Sequence, residues 1–271
     1  MAMKSNAAGS TTQSRTTGTV AAGKNQDVSV VFIHGFLDEG RLWQPVMDRL
    51  TKLGIVCVAP DLSGMGTRAA ASAPFTLSRL AGEVVPILDN ISGPVLLVGQ
   101  SMGAQIAELV AAALPDQVIA MMLLTPVPLG GLPMPDEIAA QMRALGGDPT
   151  AQRELRRQFA GRHAEGIIDE LVNVGMKVRP ETARALFDAW SAGDLSGNEK
   201  SKFSSPVLIA GGAEDAFVTP ELIESMVSPR FAKASTVLIP EVGHWPHVEQ
   251  PSKVAELLTD FIADLARATE Q

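Results

Sequence analysis

The chain has 271 residues, 46% of them hydrophobic, with one cysteine and a net charge of −8. That length suits a single α/β domain carrying an insertion and burying a large core. The acidic balance argues against a nucleic-acid partner, which needs a clustered basic surface. The apolar runs are too short to span a bilayer and no Cys/His spacing suits a metal, so no membrane, metal or cofactor is expected.

Residues 1–26 are rich in Ser, Thr, Gly, Ala and Asn and read as a disordered tail. They lack the apolar core of a secretory signal, so a cytoplasmic protein is expected. From residue 28 an apolar, β-branched run reaches Ile33 and ends in His34-Gly35-Phe36. It does not alternate, which predicts a strand buried on both faces. Helical spacing follows over 42–53. The run 55–59 reads as a second buried strand, holding Cys57 as a structural thiol that has no internal disulfide partner. An amphipathic helix is predicted over 76–91, despite Pro86.

Next comes the run Val95-Leu96-Leu97-Val98, then Gly99-Gln100-Ser101-Met102-Gly103, then a helix-like segment to Leu114. Glycines on either side of the serine permit a sharp strand-to-helix turn that holds Ser101 above the sheet edge in a strained conformation. This makes Ser101 the candidate nucleophile. The backbone N–H of Met102 then lies at the positive end of a helix dipole, where an oxyanion can bind. A further strand is predicted over 118–124, and the strand–helix alternation to this point implies a parallel sheet covered on both faces.

The rhythm breaks at 125–135, where proline and glycine are dense. Four helices are predicted near 136–145, 150–160, 165–177 and 181–191, with no strand among them. The expected organisation is therefore a core of 27–125 and 204–271 with a helical cap inserted over 126–203. The parallel pattern resumes with a strand over 206–210, a helix near 220–227, a strand over 236–239 and a helix from 252 to about 268.

Loops at the carboxyl ends of parallel strands gather at one edge of the sheet, where distant residues converge. After the strand over 206–210 come Glu214 and Asp215, and after the last strand comes Gly243-His244-Trp245-Pro246-His247. The order is serine, acid, histidine, each at a strand end. With its His34-Gly35 loop, its Gly-x-Ser-Met-Gly elbow, its helical insert and this Gly-His-Trp-Pro-His ending, the sequence resembles the α/β-hydrolase superfamily over about residues 28–268. The similarity lies with the serine esterase and lactonase branch, and the Met after the serine resembles bacterial arylesterases. Low-complexity sequence stands where most members of that superfamily have an initial antiparallel hairpin.

The resemblance implies an α/β-hydrolase fold, a mostly parallel, doubly wound sheet with an inserted cap. It also implies Ser101 as nucleophile, His244 as general base and Asp215 as the acid that orients it, with Glu214 the competitor. The oxyanion would meet the backbone N–H groups of Phe36 and Met102, and His34 would shape that loop. Leu37, Val127, Leu129, Trp190, Phe217, Val218 and Trp245 flank these loops as pocket residues, so the substrate should be apolar. His247 reads as a packing residue, His163 as exposed, and Arg153, Arg156, Arg157 and Arg162 as a solvated helix face. The expected function is a serine hydrolase that cleaves a small, largely apolar carboxylic ester or lactone through an acyl-enzyme. A carbon–carbon bond hydrolase or lyase on the same fold is the alternative, and a non-catalytic ligand-binding module a third reading. The partner is a small-molecule substrate; the sequence leaves the oligomeric state open.

Overall fold

The computed structural model describes residues 28–269. The tail expected over 1–26 and any hairpin before residue 28 lie outside the described residues. The elements run β1 (Ser29–Ile33), α1 (Gln44–Thr51), β2 (Cys57–Val58), α2 (Leu77–Leu88), β3 (Val95–Gln100), α3 (Met102–Ala113) and β4 (Val118–Leu124). Helices α4 (Asp136–Arg143), α5 (Pro149–Phe159), α6 (Glu165–Gly175) and α7 (Pro180–Ala192) follow. The chain closes with β5 (Val207–Gly212), α8 (Pro220–Leu222), β6 (Ala234–Ile239), α9 (Pro246–Glu249) and α10 (Pro251–Thr269).

The six strands form one sheet in the order β2-β1-β3-β4-β5-β6, and every pairing is parallel. Side chains alternate across a strand, so β1 sends Val31 and Ile33 to one face and Val30 and Phe32 to the other. In β3, Val95 and Leu97 join the first face and Leu96 and Val98 the second. The first is covered by α2 and α3 through Leu80, Val84, Ile106 and Val110. The second is covered by α1 and α10 through Val46, Leu50, Leu258 and Ile262. Cover on both faces is why these strands read as unbroken apolar runs.

The chain steps outward from β1 to β2 and then returns to place β3 on the other side of β1. The strand order therefore reverses between β1 and β3, and the crevice beyond their carboxyl ends is where open α/β sheets bind ligands. The loops leaving these two strands carry Gly35-Phe36 and Ser101.

Three expectations change. The strand expected over 55–59 pairs only at Cys57 and Val58, because it is an edge strand, with Val56 56% exposed. Cys57 is accordingly half-buried rather than in the core. The helix expected near 220–227 is one short α segment continued by a wider π turn over Ile223–Val227. The four helices between β4 and β5 form as expected, with ends shifted by a residue or two.

Candidate active site

The turn between β3 and α3 is built by close packing. A Cβ on Gly99 would stand 2.4 Å from the Gly103 carbonyl oxygen, and one on Gly103 would stand 2.3 Å from that of Ile33. Only glycine permits this approach of strand, turn and helix. Between them Ser101 adopts φ 53° and ψ −120°, a left-handed conformation costly for a residue with a side chain. Strain of this kind persists where the surroundings fix it, and here it presents the hydroxyl beyond the sheet edge.

His244 follows β6, and Asp215 follows β5. The Ser101 Oγ lies 3.0 Å from His244 Nε2, and His244 Nδ1 lies 2.7 Å from Asp215 Oδ2. Asp215 is an acceptor-only carboxylate, so Nδ1 carries the proton and Nε2 is left to accept from the serine. The other oxygen of Asp215 accepts from the backbone N–H groups of Phe217 and Val218, at 2.8 and 2.9 Å. Glu214 faces away and accepts from the Arg162 backbone N–H.

The backbone around His244 is held from several sides. Gln100 Nε2 and Thr125 Oγ1 both donate to the His244 carbonyl, at 2.9 and 3.0 Å, which ties the ends of β3 and β4 to this loop. The His244 N–H donates to the Phe159 carbonyl at the end of α5, at 2.8 Å. The Glu249 carboxylate accepts from Gly161, Gly243 and Trp245, each at 2.9 Å. Hydrogen bonds to a charged acceptor are the stronger kind, so this side chain fixes the loop in one conformation.

Gly35 packs so closely on the turn that a Cβ there would come within 3.2 Å of Ser101 Cβ. Phe36 follows it, and Met102 opens α3, where an N–H has no carbonyl one turn back to bond. His34 is fully buried, donates from Nδ1 to the Gly35 carbonyl at 2.9 Å and accepts the Leu62 N–H at Nε2, 3.0 Å away. Both ring nitrogens are engaged in fixing the loop, and burial holds its pKa below the usual histidine value.

A cavity of about 30 Å³ lies over Ser101 and His244. Of the expected pocket residues, Leu37, Trp190, Phe217 and Trp245 line it. Val127, Leu129 and Val218 do not. Val127 and Val218 turn into the core, and the loop after β4 is tied to the chain beyond α7 by the Asp194 N–H bonding the Leu129 carbonyl. Met142, Leu155, Arg156 and Phe159, from α4 and α5, also line the cavity.

Arg156 corrects the expectation of a solvated helix face. Arg153, Arg157 and Arg162 pair with carboxylates at the surface. Arg156 is buried, pairs with Asp38 and donates to the Leu37 carbonyl at 3.0 Å. The available signal was spacing: Gln152, Leu155, Arg156 and Phe159 form one inward stripe on α5, whereas Arg153 and Arg157 share the opposite side. His163 is exposed and lies 3.9 Å from Glu241. His247 is fully buried against Trp43. No cluster of side chains among the described residues suits a metal ion, and no helix among them is long and apolar enough to cross a membrane.

A profile of the Alpha/beta hydrolase family matches residues 30–257. The lipase LipV of Mycobacterium tuberculosis is 40% identical over 105 residues, which is 38% of this chain and 39% of that one. Protein ABHD8 of Mus musculus is 27% identical over 261 residues, covering 90% of this chain and 57% of its own length. The chain thus spans well under two thirds of the length of these curated relatives. Among solved structures, a thermophilic esterase from Thermogutta terrifontis superimposes with a TM-score of 0.74 at 21% identity, over 88% of this chain and 90% of that one.

Proposed function

The chain belongs to the alpha/beta hydrolase family, and on that premise we propose that it is a serine hydrolase cleaving a small, largely apolar carboxylic ester or lactone. The observation that carries the reading is the alignment of Ser101, His244 and Asp215 at 3.0 and 2.7 Å, beyond the carboxyl ends of three different strands. A serine hydroxyl is a weak nucleophile near neutral pH and needs a base within hydrogen-bond reach. His244 Nε2 removes the proton as Ser101 Oγ attacks the substrate carbonyl, and Asp215 stabilises the imidazolium that results. The backbone N–H groups of Met102 and Phe36 receive the oxyanion, each such donor being worth roughly 3 kcal/mol in typical enzymes. His244 returns its proton to the departing alcohol oxygen. Water, deprotonated by the same imidazole, then attacks the acyl-enzyme and releases the acid. Side chains, backbone N–H groups and water supply every step.

Helices α4 to α7 act in this reading as a cap. Met142, Leu155 and Phe159 give the cavity an apolar roof, and Trp190 closes its side. An apolar lining keeps water from competing with the serine and strengthens the charge interactions beneath it. The relatives named lipase and esterase support ester chemistry.

The test is hydrolysis of short nitrophenyl esters and lactones by the wild-type chain and by Ser101→Ala, with mass spectrometry after a serine-directed phosphonate. Turnover that disappears in Ser101→Ala, with one adduct on Ser101, is expected. Absence of an adduct, or cleavage of a vinylogous diketone without any ester turnover, overturns the reading.

A further inference from the structure

The space over Ser101 is too small for the substrate it must accept. At about 30 Å³ it holds a few water-sized groups, and its walls admit little solvent: Ser101 is 6% exposed and His244 4%. None of the residues around it is fully exposed. Beside it lies a second cavity of about 610 Å³, in the range of small-molecule sites. Met142, Leu155, Phe159 and Phe217 line both spaces, so these four side chains are the partition between them. Pro133, Ile138 and Ala216 open the outer cavity to solvent, with Ile138 47% exposed. The outer cavity therefore adjoins the space over Ser101, with only the side chains of this partition between them.

The chemistry of the outer cavity limits what it takes. Its walls are apolar apart from Gln141, Glu154 and Gln158. None of these is a cation and Glu154 is an acid, so an anionic group meets no opposite charge there, whereas a neutral hydrocarbon chain finds mostly apolar wall. Its position selects which end of an ester occupies it. Phe159 and Phe217 stack on each other at 5.0 Å and present their rings to His244 at 6.4 and 5.2 Å. His244 gives its proton to the leaving oxygen, so the alcohol part of the ester lies on the side of the histidine, against these two rings.

We propose that the outer cavity binds the apolar alcohol part of the substrate, and that the enzyme selects esters joining a short acyl group to a longer neutral alkyl alcohol. This rests on the serine-hydrolase reading of Ser101. The inner space then holds an acyl group about as small as acetyl, and the departing alcohol leaves through the cavity that bound it.

The experiment measures kcat/KM for two series with the full chain: acetates of ethyl, butyl and hexyl alcohol, and nitrophenyl esters from acetate to octanoate. Both are repeated in Ile138→Trp and Ala151→Phe, which fill the outer cavity from two helices, and in Ser101→Ala. The alkyl acetates are expected to improve roughly threefold per added methylene. The nitrophenyl series is expected to fall as the acyl chain lengthens. Each filling variant should cut the hexyl-to-ethyl preference by about tenfold or more, roughly the burial of two methylenes. A flat alkyl series, an acyl series that climbs instead, or a preference unchanged in both variants overturns the inference while leaving Ser101-dependent turnover in place. Turnover of both series that survives in Ser101→Ala overturns the hydrolase reading, and this inference with it.

Discussion

Arg156 Nη1 donates to Asp38 Oδ1 across 2.8 Å, with both side chains almost wholly out of water. The same guanidinium lies 4.7 Å from the Trp245 ring, and Asp38 Oδ2 accepts the Trp245 indole N–H at 3.1 Å. One ion pair thus joins α5, the loop after β1 and the loop of His244. Breaking a buried pair costs more than the pair contributes, because the surviving charge is left without a partner. Arg156→Met is expected to lose about 3–5 kcal/mol of stability in urea unfolding. Adding Asp38→Asn to it should recover part of that loss, and a double variant no more stable than Arg156→Met would show that the charge of Asp38 is not the cause.

Asp215 and Glu214 are neighbours in sequence and opposites in surroundings. Asp215 is buried and bonds His244, whereas Glu214 engages Arg162. Asp215→Asn keeps the shape but favours the wrong imidazole tautomer, so kcat on a short ester should fall by roughly 10⁴-fold. Glu214→Gln should stay within about threefold, since exposed ion pairs contribute little. Equal losses in the two variants would remove Asp215 from its assigned role.

The sheet was legible because each central strand is buried on both faces and shows as a run such as Val95 to Val98, closed by a turn. The edge strand Cys57–Val58 was misread for the same reason in reverse: its apolar residues match a buried strand, and only pairing reveals that one side faces water. Ser101, Asp215 and His244 were visible because strand order carries strand ends to one place. The residues that hold them were not. Asp38 and Arg156 meet across 118 positions of sequence, and Glu249 reaches Gly161 across 88. No local pattern encodes such meetings. The expected lining matches at Leu37 and Phe217, on the loops after β1 and β5, which line the cavity over Ser101. It fails at Val127 and Val218, whose side chains pack into the core.

The turn at Ser101 depends on the small size of its flanking residues as much as on the serine. The atom that a Cβ on Gly99 would meet is a backbone oxygen, which cannot rotate aside. Gly99→Ala is therefore expected to cost about 1–3 kcal/mol in urea unfolding, as overpacked sites do. It should also lower kcat, because strand and helix must part and shift Ser101 from His244. A variant with wild-type stability and wild-type kcat would show that the turn yields without strain.

His247 makes stability depend on acid. It is fully buried, stacked on Trp43 at 4.2 Å, and has no hydrogen-bond partner for either ring nitrogen among the described residues. Burial, which disfavours the charged ring, pushes its pKa from 6.5 down to about 3. Above pH 6.5 neither the folded nor the unfolded chain holds a proton on this ring, so it adds no pH dependence. Between 6.5 and about 3 the unfolded chain binds a proton that the folded chain refuses, so stability falls as pH falls. One such group contributes about 1.4 kcal/mol per pH unit once the unfolded ring is charged. His34, buried neutral with both nitrogens engaged, acts in the same direction. His247→Phe preserves a ring against Trp43 and removes the titration, so its stability in urea should decline more gently with acid than the wild type. The residual decline belongs partly to His34. Parallel slopes for the two proteins between pH 6 and pH 4 would mean that His247 takes up its proton in the folded state, and that its buried site admits water.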